Sequence, residues 1–323
     1  MLLIATTSFA QSNDVTHYGY RLMQMGFRHD TVNILIKSKT GEEQISKPIL
    51  LFCQGSLPQP LIKVDDKGAY DIFPFAVEKL LEEYHLVIIG KPGIPLVCNV
   101  KELGRDFTYM DANGNTPEKY TLNNTLDYYV KRNIRVLKFL GRQPWAGKGR
   151  VVVAGHSEGS TIAAKMASAY GKITHLIYSG GNPMGRIMSM MAQSRKTESN
   201  AVGEQSGEDD MVLWQSVVDG KNNTDGAGGD SYKTTYEFSI PPIRYLEKLD
   251  IPVLVSYGTK DWSTPFNDYL RVEMVREGKH NFEFKAYIGA EHNYFPVDAQ
   301  GKVDYDTYNW DKVAEDWRLW LKG

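Results

Sequence analysis

From Thr31 onward, short apolar runs bounded by turn residues alternate with longer segments of helical period. Such alternation predicts a mostly parallel sheet with crossover helices on its faces. The apolar runs place strands at 31–37, 48–53, 85–89, 151–154, 173–178, 251–257 and 281–287. A helix near 71–84 would carry Phe73, Val77, Leu80, Leu81 and Tyr84 on one face. The clearest helical pattern spans 122–140, where Leu122, Leu126, Val130, Ile134, Leu137 and Leu140 recur every three or four positions. Asp127, Lys131, Arg135 and Lys138 take the opposite face. Further helices are expected at 158–170, 267–278 and 310–321. Between 182 and 250 the alternation stops: methionines 184, 188, 190 and 191 cluster, 203–210 is polar and acidic, and 219–231 is rich in Gly, Asn and Asp. So long a segment is expected to form a subdomain or a mobile lid. The chain thus divides into a core of 11–181 and 251–323 with a cap inserted at 182–250.

Composition adds mainly exclusions. The 323 residues are 42% hydrophobic and 24% charged, as in an ordinary soluble globular protein, which excludes disorder, collagen-like repeat and coiled coil. Lys and Arg total 37 against 39 for Asp and Glu, so no basic face is expected for nucleic acid or anionic lipid. Cys53 and Cys98 are too few for a disulfide framework and lack the spacing of a zinc site, although in an oxidising compartment they could pair with each other. No metal ligand set is expected. At the amino terminus, apolar 1–5 followed by Ser8-Phe9-Ala10 reads as the end of a signal peptide cleaved before Gln11; the competing reading is a buried first strand. No later apolar run approaches the ~20 residues of a membrane span, so an exported protein would be soluble, in a periplasm or outside the cell.

One motif carries chemistry. Gly155-His156-Ser157-Glu158-Gly159 fits G-x-S-x-G and lies directly after a strand and directly before a helix. A nucleophile on so sharp a turn needs small residues two positions to either side, because a Cβ there would strike the adjacent strand or helix. A serine hydroxyl attacks only when a base takes its proton, so the motif demands a histidine and a carboxylate to orient it. Asp261 follows the 251–257 strand in Gly258-Thr259-Lys260-Asp261, and His292 follows the 281–287 strand in Gly289-Ala290-Glu291-His292. Both therefore stand at carboxyl ends of strands, where α/β sheets build their sites. His280, the other histidine beyond Asp261, precedes its strand and falls at the opposite edge. Glu291 is an alternative acid, though as the immediate neighbour of His292 it is badly placed to reach Nδ1. An oxyanion would be met by the backbone N–H of Glu158 and by that of Ser56, in the loop Gln54-Gly55-Ser56-Leu57-Pro58.

These residues resemble the α/β-hydrolase superfamily, in particular its secreted bacterial serine hydrolases of the prolyl-oligopeptidase and dienelactone-hydrolase branches. The resemblance rests on Gly55-Ser56-Leu57-Pro58, the elbow from His156 to Gly159, and the acid loop from Tyr257 to Asp261. It covers 31–181 and 251–321 but not the insert, and implies a sheet of about eight strands. Three positions depart from the pattern. Leu57 stands where a glycine is usual, Ser160 replaces a frequent second glycine, and Lys91-Pro92-Gly93 takes the place of an Arg-Gly pair. The first bears on which N–H faces the oxyanion, the others on the substrate.

The sequence thus predicts a serine hydrolase that cleaves carboxylic esters through an acyl-enzyme on Ser157, with His292 as base and Asp261 as its orienting acid. No cofactor is expected. The substrate would be a small-molecule ester or a short peptide, with Met188 and Trp214 of the cap offering apolar surface to it. The alternatives are a peptidase of the same fold and a non-catalytic binding protein that keeps it. Asp111–Asn115 and Asp298–Asp306 hint at calcium loops but lack the full ligand alternation, and are expected to be turns. No glycine pattern for nucleotide binding occurs.

Overall fold

A computed structural model describes residues 14–198, 205–225 and 229–323. The chain forms β1 (Tyr20–Phe27), β2 (Asp30–Lys37), β3 (Lys47–Cys53), β4 (Ile62–Asp65), β5 (Gly68–Asp71), α1 (Glu78–Leu81), β6 (His85–Ile89), β7 (Val97–Asn99), α2 (Glu118–Asn123) and α3 (Leu126–Leu140). It continues through β8 (Ala146–His156), α4 (Glu158–Ala169), β9 (His175–Ser179), α5 (Arg186–Thr197), α6 (Ser206–Asp219), α7 (Tyr232–Phe238) and α8 (Ile243–Leu246). Last come β10 (Val253–Gly258), α9 (Thr264–Arg276), β11 (Phe282–Tyr287) and α10 (Trp310–Trp320). Eight strands make one sheet in the order β1-β2-β6-β3-β8-β9-β10-β11, and β5-β4-β7 make a second, small one. The large sheet is parallel from β6 to β11 and antiparallel at β1 and β2, so it is the mostly parallel sheet that the alternating pattern predicts.

Side chains alternate across each strand, and this sets the layers. Ile49 and Leu51 of β3 and Val153 of β8 face one apolar cluster, covered by α3 and α4 through Leu137, Ile162 and Met166. Leu50 and Phe52, with Val152 and Ala154, face the other, covered by α1 and α10. There Trp317 is fully buried and meets Phe75 and Trp310 edge-on. Strands β3 and β8 are therefore apolar on both faces, which is why they read as continuous hydrophobic runs. The chain runs from β3 to β6 on one side and then crosses to β8 on the other, and the reversal opens a crevice at the carboxyl ends of β3 and β8. Between β9 and β10 the described residues add four helices and no strand, with Phe238, Ile243 and Leu246 packed into the first cluster.

The structure departs from the periodic reading in three places. Only Glu78–Leu81 of the 71–84 segment is helical. Gly68–Asp71 is instead committed to a hairpin with β4, and Pro74 lacks the N–H a helix interior requires; Phe73 and Phe75 pack on Phe52 from an irregular segment. The 122–140 helix is broken at Asn124. Thr125 caps α3 by accepting the N–H of Tyr128, which leaves Leu122 on a separate short helix and half exposed. β1 lies before the region in which alternation is evident. Cys53 and Cys98 are both free: Cys53 ends β3 beside Asn133, whereas Cys98 lies in the small sheet and points its thiol at Glu102, 3.3 Å away. Asp111 and Asp298 each accept two backbone N–H groups from their own loops, the geometry of turns. No described helix is long and apolar enough to cross a membrane. The segment read as a signal peptide lies outside the described residues.

Candidate active site

The turn from β8 into α4 is held at backbone contact. A Cβ on Gly155 would lie 2.1 Å from the carbonyl oxygen of Gly159, and one on Gly159 would lie 1.9 Å from that of Cys53, at the end of β3. Both glycines are therefore obligatory. Between them Ser157 adopts φ 57° and ψ −126°, a conformation a non-glycine residue holds only when its surroundings enforce it. Its N–H is fixed by the carbonyl of Ser179 at 2.9 Å.

Three residues from three loops meet at this turn. His292 Nε2 lies 3.0 Å from Ser157 Oγ, and His292 Nδ1 lies 2.8 Å from Asp261 Oδ2. With the ring proton on Nδ1 donated to Asp261, Nε2 is left as the acceptor for the serine hydroxyl. The Asp261 side chain is fully buried, and its second oxygen accepts the N–H of Ser263 at 3.0 Å. Glu291 turns away from the ring to accept the N–H groups of Asn293 and Phe295. Trp262 stacks on His292, with ring centroids 4.8 Å apart.

A second imidazole stands behind the first. His156 is buried, its ring centroid 5.0 Å from that of His292, and burial together with the proximity of His292 holds its pKa well below the usual histidine range. It is neutral, with Nδ1 3.0 Å from the hydroxyl of Ser179 and Nε2 3.3 Å from Asn293 Oδ1.

The oxyanion candidates lie on either side of the crevice. Glu158 is the first residue of α4, whose leading N–H groups lack acceptors within the helix. Ser56 lies in the loop after β3, and a methyl placed on Gly55 would sit 3.8 Å from Ser157 Cβ. The Glu158 side chain is buried and paired with Arg186, which also binds Asp230. Burial pushes the Glu158 carboxyl up, against the pull of Arg186 and Lys91. Asp230 in turn accepts from Asn124 Nδ2 at 2.8 Å, and the Arg186 guanidinium lies 4.6 Å from the ring centre of Phe238. Arg186 thus joins the insert to the residue that follows Ser157. Met188 is half-buried on the same helix; Trp214, on α6, stacks on Tyr236 within the insert at 6.0 Å. Two large cavities, of about 490 and 560 Å³, include none of Ser157, Asp261 and His292 in their walls. The larger opens at Arg150, His175 and Pro252, at the amino ends of the strands and so the wrong edge for a parallel sheet's site.

No sequence motif gives a role to His156, Trp262 or Asn293, although each adjoins a candidate site residue along the chain. Arg186 and Asp230 gave no signal, because neither lies in a motif and their partners are distant in sequence.

No family model and no curated protein matches the sequence. Solved structures are similar in fold. The acylaminoacyl peptidase of Pyrococcus horikoshii matches with a TM-score of 0.56 at 13% identity, over 94% of this chain and 40% of that one. Est1E from Butyrivibrio proteoclasticus, with ferulic acid bound, gives 0.57 at 13% identity over 93% and 97%. A putative dipeptidyl aminopeptidase IV from Bacteroides ovatus gives 0.57 at 8% identity over 94% and 36%. The chain thus spans well under half of the two peptidases and nearly all of Est1E. It has the α/β-hydrolase fold.

Removing the partner of a buried charge leaves that charge uncompensated. Arg186→Met should therefore lower unfolding free energy by about 3 kcal/mol in a urea titration. An unchanged midpoint would show that Arg186 does not tie the insert to the elbow.

Proposed function

We propose that the chain is a serine hydrolase that cleaves carboxylic esters of small molecules through an acyl-enzyme on Ser157. The observation that carries this reading is the unbroken chain of hydrogen bonds from Ser157 Oγ through His292 to Asp261, placed on a strained turn at the carboxyl edge of the sheet. As Ser157 Oγ bonds to the acyl carbon, its proton passes to His292 Nε2, and Asp261 stabilises the imidazolium through Nδ1–H. The face of Trp262 adds to that stabilisation. The carbonyl oxygen becomes an oxyanion held by the N–H groups of Glu158 and Ser56. The ester C–O bond then breaks, and the departing alkoxide takes the proton from His292. Water attacks the acyl-enzyme by the same route in reverse, releasing the acid and restoring the serine. None of these steps needs a metal or cofactor.

The same machinery cleaves amides, and two of the structural neighbours carry peptidase names. An enzyme that reads a peptide's free amino terminus needs carboxylates to receive it. Here Glu158 and Asp230 are both engaged by Arg186, which favours the ester reading. The insert at 182–250 joins the core at its two ends beside the candidate nucleophile and acid, and acts in this reading as the selectivity element. The substrate is then an uncharged, moderately apolar ester, met by an exported enzyme.

Ser157→Ala should fold normally and lower p-nitrophenyl ester turnover by about 10⁴-fold or more. His292→Ala should be as severe and Asp261→Asn somewhat less so. A Ser157→Ala enzyme that kept a tenth of the wild-type rate, or a Glu291→Gln loss larger than that of Asp261→Asn, would contradict the assignment. Across esters of rising acyl length, each well-placed methylene should contribute about 1 kcal/mol to kcat/KM. Met188→Ala and Trp214→Ala should alter that profile; one profile shared by all three enzymes would remove the insert as the selectivity element.

A further inference from the structure

We infer that Lys91 is a positioning residue that aims the amides of the 54–58 loop at the reaction centre, an inference that rests on the hydrolase reading of Ser157. Strand order is the first observation. β3 lies between β6 and β8, so the loop leaving β3 runs between the chain leaving β6, which carries Lys91, and the chain leaving β8, which carries Ser157. The grip and the nucleophile stand on opposite flanks of the same loop.

The second observation is what Lys91 holds. Its side chain is buried, and among the described residues its ammonium forms no ion pair. Instead Nζ donates to the carbonyl oxygens of Gly55 at 2.7 Å and Ser56 at 2.6 Å. The Tyr120 hydroxyl donates to the same Ser56 oxygen at 2.6 Å. In a trans peptide the carbonyl and the following N–H point in opposite directions, and no peptide here is cis. Turning the Gly55 and Ser56 carbonyls toward Lys91 therefore turns the N–H groups of Ser56 and Leu57 away from it, toward the Ser157 flank. Neither N–H is taken by another backbone or side-chain acceptor among the described residues.

A buried ammonium is costly, and burial pushes this one down to about 8. Glu158 and Asp230, the acids whose charges act on it, are bound to Arg186 and leave Lys91 to the two carbonyls. A cation on the carbonyl side also polarises the peptide units and strengthens their N–H groups as donors. Lys91 would thus act in the transition state, when an oxyanion forms, and little in the ground state.

The test compares wild type with Lys91→Met, Lys91→Arg and Tyr120→Phe in p-nitrophenyl acetate hydrolysis, in thermal unfolding, and in inhibition by a phenylboronic acid. The boronate adduct on a serine places an oxygen where the oxyanion would sit. Lys91→Met should lower kcat by about 10- to 100-fold, with KM within about threefold of wild type, and should weaken boronate inhibition by a similar factor. Lys91→Arg, whose fork can meet two adjacent carbonyls, should recover to within about tenfold of wild type, and Tyr120→Phe should lose about two- to tenfold. The inference is overturned if Lys91→Met keeps kcat within about twofold of wild type, raises KM alone, or loses activity with boronate affinity unchanged. Should Lys91→Met fail to fold, unaltered kcat and boronate affinity in both Lys91→Arg and Tyr120→Phe would overturn it equally. A wild-type chain that turned over neither esters nor aminoacyl amides would instead overturn the hydrolase reading, and this inference with it.

Discussion

Everything at the candidate site depends on how closely α4 packs against the ends of β8 and β3. Gly155 and Gly159 allow backbone to meet backbone, with no room for a methyl group at either position. That contact drives Ser157 into its positive-φ conformation and lifts its hydroxyl above the sheet edge. The same packing fixes where Glu158 falls. Its N–H opens the helix beside the serine, while its side chain is carried inward to Arg186. The turn thus fixes together the candidate nucleophile, one candidate oxyanion donor and the contact of Glu158 with Arg186.

Around the turn, the groups are arranged so that few charges are left unmatched. His156 is kept neutral beside His292, Glu158 and Asp230 share Arg186, and Lys91 spends its charge on backbone carbonyls. In so buried a region an unmatched charge would shift its neighbours' proton affinities strongly. In the reading proposed above, such an environment suits proton transfer from Ser157 to Nε2 of His292 while its Nδ1 stays bound to Asp261. It also argues for an insert held to the core through Arg186 rather than one hinged freely over the serine.

Much of this was legible in the sequence because strands buried on both faces leave continuous apolar runs. β2, β3, β6, β9, β10 and β11 lie within a few residues of their expected bounds. β8 runs five residues further back, to Ala146, through a stretch with too few apolar residues to register. β1 is an edge strand in which, after Tyr20, half-buried and exposed positions alternate, with Arg21 and Gln24 inside it, and so gives no such run. The 71–84 segment misled for the opposite reason: Val77, Leu80, Leu81 and Tyr84 have helical spacing and are buried, but the hairpin upstream and Pro74 limit the helix to one turn. At the site, Ser157, Asp261 and His292 could be named because each follows the carboxyl end of a recognisable strand, and the structure brings them within hydrogen-bonding reach. Lys91 stood out in the sequence as a departure bearing on substrate. Its contacts with Gly55 and Ser56 depend on the order of β6, β3 and β8, which no local pattern records.

In the proposed reading, His292 and Asp261 make Ser157 a nucleophile. The most direct measurement of this is labelling with a fluorophosphonate probe, followed by mass spectrometry of the digested protein. One stoichiometric adduct is expected, on the peptide containing Ser157, formed rapidly in wild type and lost or greatly slowed in the folded His292→Ala variant. An adduct on another residue, or equal labelling of Ser157 with and without His292, would contradict it.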